Sequence, residues 1–389
     1  MLEKQNCTGC GACVLRCPTY ALSMKCNEEG FYYPHINIAK CVNCGLCSKV
    51  CHLNLHIENT IPLKVYAAVN KNTSTLLKSA SGGVFGAIAD FVLMNNGVCY
   101  GVTLENLNAK YLRVQNKEEL YKLYGSKYVQ VNNSNVYDLV EKDCKNGKEV
   151  LFVGTPCLVA GLKQFLRQDY RNLYTVDIVC HGIPSKLYFE KYIEYISCKL
   201  GGRISEFNFR DKSKYGIGCI SSCIINKGKR TKRIIHTNQL LNYYYYYMFA
   251  DSYRESCYQC KYTNLRRVSD ITLGDFWGIE KLNSSLDVRY GCSAVIINSL
   301  RGDCLLYSAI SKQCNLEERS IQDVLVRNTA LYKNIIRPAA RNSLYSELIE
   351  KGLNYMISTR YKPSMFQYAK GYAKGILPVS VQKIIHRYL

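Results

Sequence analysis

The stretch CTGCGACVLRCPTYAL, Cys7 to Leu22, sets Cys7, Cys10, Cys13 and Cys17 in the order C-x2-C-x2-C-x3-C-P. A second run, CVNCGLCSKVC, repeats the spacing at Cys41, Cys44, Cys47 and Cys51, with His52 where the first run has Pro18. Three cysteines at i, i+3 and i+6 wrap one loop around a corner of an iron–sulfur cube, whose iron takes soft thiolate ligands. Gly9, Gly11 and Gly45 let the main chain approach without a Cβ in the way. Zinc and disulfides are the alternatives. Zinc sites pair two C-x2-C units across a longer gap, which is not this spacing.

Over roughly residues 1–55 the chain resembles the bacterial two-cluster ferredoxin family. In such proteins the fourth cysteine of each run ligates the other cluster. The resemblance therefore assigns Cys7, Cys10, Cys13 and Cys51 to one [4Fe–4S] cluster, and Cys41, Cys44, Cys47 and Cys17 to the other. The crossover makes metal binding part of the folding energy.

A chain of 389 residues has room for two or three domains, and 48% hydrophobic content supports real cores. It carries 21 cysteines with no signal peptide before Cys7, so a reducing, cytoplasmic setting is expected. No apolar run is long enough to span a membrane. The formal charge is +21; two or three cubes at about −2 each bring it to roughly +15 to +17. Residues 1–60 hold five Lys+Arg and four Asp+Glu, so the excess lies further on. A basic face suits an acidic redox partner protein, an anionic small-molecule carrier or substrate, or an anionic lipid surface. The basic residues form no dense block and no nucleic-acid motif appears, so nucleic acid is not expected.

Beyond a polar linker at 52–63, the pattern reads as strand–loop–helix units in series, an α/β architecture with some parallel sheet. The expected elements are a strand at Lys64–Lys71 and a helix to Met94 opened by Ser79 and Ser81. A strand at Val98–Leu104 and a helix over 117–125 come next. Then come strand Val150–Val153, loop Gly154–Cys157, helix Leu158–Leu166, strand Tyr174–Val179, loop Cys180–Ser185 and helix Lys186–Leu200. Antiparallel strands follow over 203–236, a helix over 238–250, strands at 268–274 and 293–298, and a Tyr-rich, basic helical tail. The organisation expected is a two-cluster ferredoxin-like domain (1–58), an α/β iron–sulfur flavoprotein domain in two parts (64–149 and 150–340), and a helical basic tail (341–389).

Four more cysteines fall at expected loops: Cys157 in GTPC, Cys180 in VCHG, and the C-x2-C pair Cys257 and Cys260. Strand ends are where α/β folds place ligands, so these thiols form a third candidate site for a cluster, for zinc, or for no metal. The other nine, Cys99 and Cys144 among them, are expected to be buried thiols.

From about residue 64 to 340 the chain resembles the beta-subunit family of coenzyme F-420 hydrogenase and dehydrogenase. The matching motifs are SGGVFGAI (81–88), YGSKYV (124–129), GTPCLVAGL (154–162), VCHGIPS (179–185), FRDK (209–212) and CYQCKY…SDITLGDFWG (257–278). The resemblance implies a third [4Fe–4S] cluster on Cys157, Cys180, Cys257 and Cys260, beside FAD. It also implies FAD contacts from Ser81, Gly82 and Gly83, and from Gly125, Ser126, Lys127 and Tyr128. A helix start after Ser81-Gly82-Gly83 suits a pyrophosphate, although Ser-Gly-Gly before a helix is as readily an N-cap with a turn.

Asp270, Asp275 and Trp277 are candidates for the wall of this site. His181 is a weak candidate for a proton relay. Arg210, Asp211 and Lys212 read either as an anion site or as a surface ion pair worth little. The tyrosines at 243–247 read as a buried or interface surface rather than an electron path. From Ala340 onward eight Lys+Arg face two Asp+Glu, so the tail packs on the body by default, with peripheral membrane contact as the alternative. The expected function is an oxidoreductase moving electrons between the clusters and FAD, with hydride exchange to a small organic substrate or deazaflavin-type coenzyme. The alternative is an electron-transfer subunit of a larger complex, and a third reading is a cluster-based sensor.

Overall fold

The computed structural model describes residues 4–54, 61–133, 135–236 and 238–362. Residues 55–60 of the expected linker and 363–389 of the expected tail lie outside these. The N-terminal part holds two short helices, Ala12–Leu15 and Leu46–Lys49, each entered through a glycine at positive φ. Between them lies a hairpin, β1 (Leu22–Cys26) and β2 (Tyr32–Ile36), with Leu22 opposite Ile36.

The main sheet begins with β3 (Lys64–Asn70), β4 (Val98–Glu105), β5 (Asn108–Val114), β6 (Val150–Gly154) and β7 (Leu173–Ile178). The chain then leaves it for a small antiparallel sheet of β8 (Arg203–Asn208), β9 (Ser222–Lys227) and β10 (Arg230–Ile235). It returns as β11 (Ile271–Asp275), β12 (Ser293–Ile297) and β13 (Cys314–Glu318). The eight main strands lie in the order β13-β3-β12-β11-β7-β6-β4-β5. The neighbours β4, β6, β7 and β11 are parallel, and the flanking pairs are antiparallel.

Parallel strands covered on both faces read as unbroken apolar runs, and VLFVG of β6 is one. Period 2 sends Leu151 to one face, against the helix Val84–Met94 and the Leu305–Ile310 segment. Val150 and Phe152 face the other side, with helices Val136–Lys145 and Pro156–Leu166 and with Cys10, Ala12 and Val50 of the N-terminal part. A third, aromatic core joins helix Lys186–Leu200, the small sheet, the tyrosine run and the C-terminal helix Arg341–Thr359 to Phe31 and Tyr33 of the hairpin. Tyr243, Tyr246 and Tyr247 are buried there, and each hydroxyl donates to a carbonyl, of Tyr128, Leu240 and Gly182 respectively. The run is packing, as expected for a buried surface. No helix among the described residues is long and apolar enough to cross a membrane.

Several local expectations are corrected. Gly83, not a serine, N-caps the helix Val84–Met94, and Ser79 closes an additional helix, Thr73–Lys78. Residues 117–125 hold only a single 3-10 turn, Leu120–Leu123. The span 238–250 divides into Gln239–Leu241 and Tyr243–Tyr247. Helix 341–359 breaks at Gly352, whose φ is 72°. Of the nine other cysteines, Cys26, Cys198 and Cys304 are exposed and Cys219 is half-buried.

The hairpin turn between β1 and β2 docks on the body through Gly30. Its φ is +80°, and a Cβ there would lie 2.4 Å from Leu187 Cβ. Beside it Arg341 grips Glu29 with two hydrogen bonds of 2.7 Å. Gly30→Ala is expected to cost about 1–3 kcal/mol by overpacking, and about 1–2 kcal/mol more for the left-handed backbone. The check is the urea midpoint, and a wild-type midpoint would contradict this docking.

Candidate functional site

Strands β6, β7 and β11 run side by side, with Gly154 opposite Asp177 and Leu273 opposite Ile178. Their C-terminal loops therefore converge at the edge where α/β sheets bind ligands. Two cavities meet there. One, of about 330 Å³, is lined by Cys157, Cys180, Cys257 and Cys260. The other, of about 260 Å³, is lined by Ser81, Gly83, Gly125, Ser126, Lys127 and Tyr128, with Arg210, Asp275 and Trp277 opposite. Thr155, Leu158 and the stretch Cys180–Ile183 line both, so a single layer of residues separates them.

Cys157 sits in the first turn of a helix rather than in the expected loop, because Thr155 is the N-cap and Pro156 opens Pro156–Leu166. The Thr155 hydroxyl lies 3.2 Å from its sulfur. Cys180 follows β7. Cys257 lies in the short helix Glu255–Tyr258 and Cys260 just beyond it. Burial, and then the neighbouring sulfurs, push these thiols up: Cys180 to about 12, Cys257 well above its usual range. Cys157 is raised to about 11, mainly by burial. Four gathered thiolates at such a place need a cationic centre. Among the described residues no three such side chains sit close enough to clasp one bare ion, whereas these four line one cavity of about 330 Å³. The donor set fits an iron–sulfur cluster.

The N-terminal runs fold in the same sense. Cys10, Cys13 and Cys51 are raised first by burial, with Cys7 adding to each. Cys7 therefore lies within electrostatic reach of Cys10, Cys13 and Cys51. Cys47 of the other set acts on Cys13, and Cys157 acts on Cys10. At Cys17 burial acts upward, but hydroxyl and N–H donors from Thr19, Ala21 and Leu22 outweigh it and hold the thiol low. Cys41 is half-buried and Cys44 exposed.

The second cavity brings together motifs far apart in sequence. Gly82 lies so close to the sheet that a Cβ would stand 2.2 Å from the Ala68 carbonyl oxygen. Asn70 N donates to Gly82 O at 2.8 Å, and Ser293 Oγ accepts from Gly82 N at 3.0 Å. The Ser81 hydroxyl donates to Cys292 O. Lys212, read from the sequence as part of either an anion site or a surface ion pair, is buried and donates to Ser81 O and Tyr290 O at 2.7 and 2.6 Å. Arg210 is also buried, ion-paired with Asp275, with its guanidinium 5.5 Å from the Trp277 ring. The FRDK charges are thus buried rather than a surface pair: Arg210 lines the cavity, while Asp211 pairs with the half-exposed Arg233.

Lys127 spends its ammonium on the carbonyls of Lys122, Leu123 and Tyr124, and burial holds it down at about 7. It fixes the loop that carries Gly125, Ser126 and Tyr128. Asp275 and Trp277 line the wall as expected. Asp270 does not, since it accepts from Thr175 N, Thr175 Oγ1 and Ser299 Oγ. His181 lines both cavities, and burial lowers its pKa.

Sequence reasoning missed three side chains around the cysteines. His52 is buried between Thr8 Oγ1 at 2.9 Å and Tyr262 OH at 2.6 Å, joining a loop of the first set to the loop after Cys260. Arg267 is buried against Asp177 at 2.9 Å and also donates to Tyr262 O and Thr272 Oγ1. Arg254 stands between the first and third sets. The available signal was the clustering of Arg254, Lys261, Arg266 and Arg267 around one C-x2-C pair.

Two family models match the chain. Residues 147–323 match the C-terminal part of the beta subunit in coenzyme F-420 hydrogenase/dehydrogenase, and residues 6–54 match a 4Fe-4S dicluster domain. The coenzyme F-420-dependent sulfite reductase of Methanocaldococcus jannaschii is 26% identical over 245 residues, covering 59% of this chain and 36% of that protein. The chain thus spans about a third of that relative's length. A solved xenon derivative of the F-420-reducing [NiFe] hydrogenase complex from Methanosarcina barkeri superposes at a TM-score of 0.46 and 14% identity. That match covers 77% of this chain and 97% of the other. This chain is therefore similar to a 4Fe-4S dicluster domain at residues 6–54 and, over residues 147–323, to the C-terminal part of coenzyme F-420 hydrogenase/dehydrogenase beta subunits.

Proposed function

We propose that the chain is an iron–sulfur flavoprotein oxidoreductase. It holds two [4Fe–4S] clusters in its N-terminal part, a third on Cys157, Cys180, Cys257 and Cys260, and FAD in the adjoining cavity. The substrate is a small organic molecule or a deazaflavin-type coenzyme. The carrying observation is that both motifs expected to contact FAD line one cavity, which shares the Cys180–Ile183 wall with the four-cysteine cavity. When bound, the clusters supply one-electron carriage and the flavin supplies hydride exchange.

The protein's own groups position and enclose. The Ser81–Gly83 loop, tied to the sheet and to Lys212, fixes the start of the helix Val84–Met94 at the cavity edge. Lys127 holds the Gly125–Tyr128 loop opposite. Arg210 and Trp277 close the floor, and His181 holds a ring nitrogen on the shared wall.

The test is iron and flavin per chain on one anaerobically purified sample. About twelve irons and one FAD are expected. About eight irons without flavin would leave a dicluster protein, and the enzyme reading would fall. A second reading is an electron-transfer module with no substrate of its own. It is favoured by the short span of the sulfite reductase that the chain covers, and it requires a separate catalytic partner.

A further inference from the structure

Arg254 is 1% exposed and lies between two cysteine sets. Its Nε donates to Cys7 O at 2.7 Å and Nη1 to Tyr32 O at 3.0 Å. Its guanidinium carbon stands 3.8 Å above the Tyr33 ring. The residue lines the cavity of Cys157, Cys180, Cys257 and Cys260. Its Nη2 is buried without a hydrogen-bond partner among the described residues. No carboxylate among these residues forms an ion pair with it, and the adjacent Glu255 is engaged by Arg337. A Cβ on Gly9 would lie 3.3 Å from the guanidinium carbon and 2.6 Å from Gln130 Nε2, so the cluster loop leaves this space clear.

A buried cation without a counter-charge is strongly unfavourable. Two of its donors are fixed on main-chain carbonyls, so the fork cannot turn away to water. The negative charge within its reach is that of the thiolate sets. Arg267, on the same cavity wall, already has Asp177, and Lys261 donates to Leu53 O. Of the two arginines on this wall, Arg254 is the one with its charge uncompensated and a donor to spare.

We infer that Arg254 sets the reduction potential of the cluster held by Cys157, Cys180, Cys257 and Cys260, by donating Nη2–H to its sulfur and placing an uncompensated positive charge beside it. The inference rests on the three-cluster reading above. One added electron takes such a cube from about −2 to about −3, so a fixed neighbouring cation stabilises the reduced state more than the oxidised one. The directed contact needs the guanidinium fork, which lysine lacks.

The experiment is a potentiometric titration with dithionite and mediators, followed by electron paramagnetic resonance. It is run on wild type, Arg254→Gln and Arg254→Lys, each assayed for iron. With iron unchanged, Arg254→Gln is expected to lower the reduction equilibrium of the Cys157/Cys180/Cys257/Cys260 cluster about tenfold, which is about 59 mV for a one-electron couple, and that of the Cys7 cluster, whose Cys7 carbonyl it also holds, by less. Arg254→Lys keeps the charge but not the fork and is expected to shift the same cluster in the same direction by less. If the glutamine variant fails to retain its iron, the lysine variant carries the test. Unchanged potentials in a variant that keeps its iron overturn the inference. Wild type with only about eight irons overturns it too, but by removing the third cluster, and iron content tells the two failures apart.

Discussion

Arg267→Met is expected to destabilise the protein by about 3–5 kcal/mol. Arg267 and Asp177 are 1% and 0% exposed, 2.9 Å apart. Removing the guanidinium leaves a buried carboxylate without its partner, on β7 in the middle of the sheet. It also frees the Tyr262 and Ile178 carbonyls and the Thr272 hydroxyl, all of which Arg267 now serves. The second consequence is local. Tyr262 follows Cys260 by two residues, so the loop holding the C-x2-C pair loses its tie to the sheet. Urea unfolding and iron content, read anaerobically, check both effects. Pairing the change with Asp177→Leu is expected to recover much of the stability, because the isolated charge rather than the lost attraction carries most of the cost. A single variant as stable as wild type would refute this account of the sheet's edge.

Cys257→Ala/Cys260→Ala is expected to remove about four of about twelve irons and to leave the spectrum of the two N-terminal clusters intact. The independence follows from the proposed ligand sets, which put the first two clusters on loops closed within residues 7–51 and the third on residues 157–260. FAD is expected to stay, because the Ser81–Gly83 and Gly125–Tyr128 loops are anchored to β3, β12 and a 3-10 turn rather than to the cysteine pair. Loss of one zinc in place of the irons would convert the third site into a structural zinc centre. Full retention of iron would show that these thiols hold no cluster.

The cysteine spacing of the N-terminal part was legible because three ligands in one loop are a local property of the chain. The strand–loop–helix units were legible for the same reason: VLFVG and the Ser185-capped helix Lys186–Leu200 carry their signals within a few residues. What the sequence hid was non-local. Ser81 looked like an N-cap, yet its hydroxyl is taken by Cys292 O, more than 200 residues away, and Gly83 caps instead. Lys127 gave no sign of its ties, because its carbonyl partners lie in a turn too short to register as periodicity. Lys212 and Arg210 sit in a polar string, FRDK, that gives no hint of burial. Only the ties of the stretch after β8 to Ser81, Asp275 and Tyr290 bring them to the cavity. Likewise, Arg254 looks like any surface arginine until Tyr32, Tyr33 and Cys7 are placed around it.

The long-range ties described above impose an order on synthesis. Cys10 O accepts from Asn133, Cys7 O from Arg254, and Glu29 pairs with Arg341, 312 residues downstream. A ribosome delivers the eight N-terminal cysteines first and their seat last. At about 5–20 residues per second, that separation corresponds to roughly 15–60 s. Through that interval the nascent module has Phe31 without its aromatic neighbours and Gly30 without Leu187. Metal delivery to the first two sites therefore has a head start over the third, and this is also the period in which the module is most open to oxygen. The last described helix acts as a late latch: a chain stalled or truncated before Arg341 would leave Glu29 without its partner.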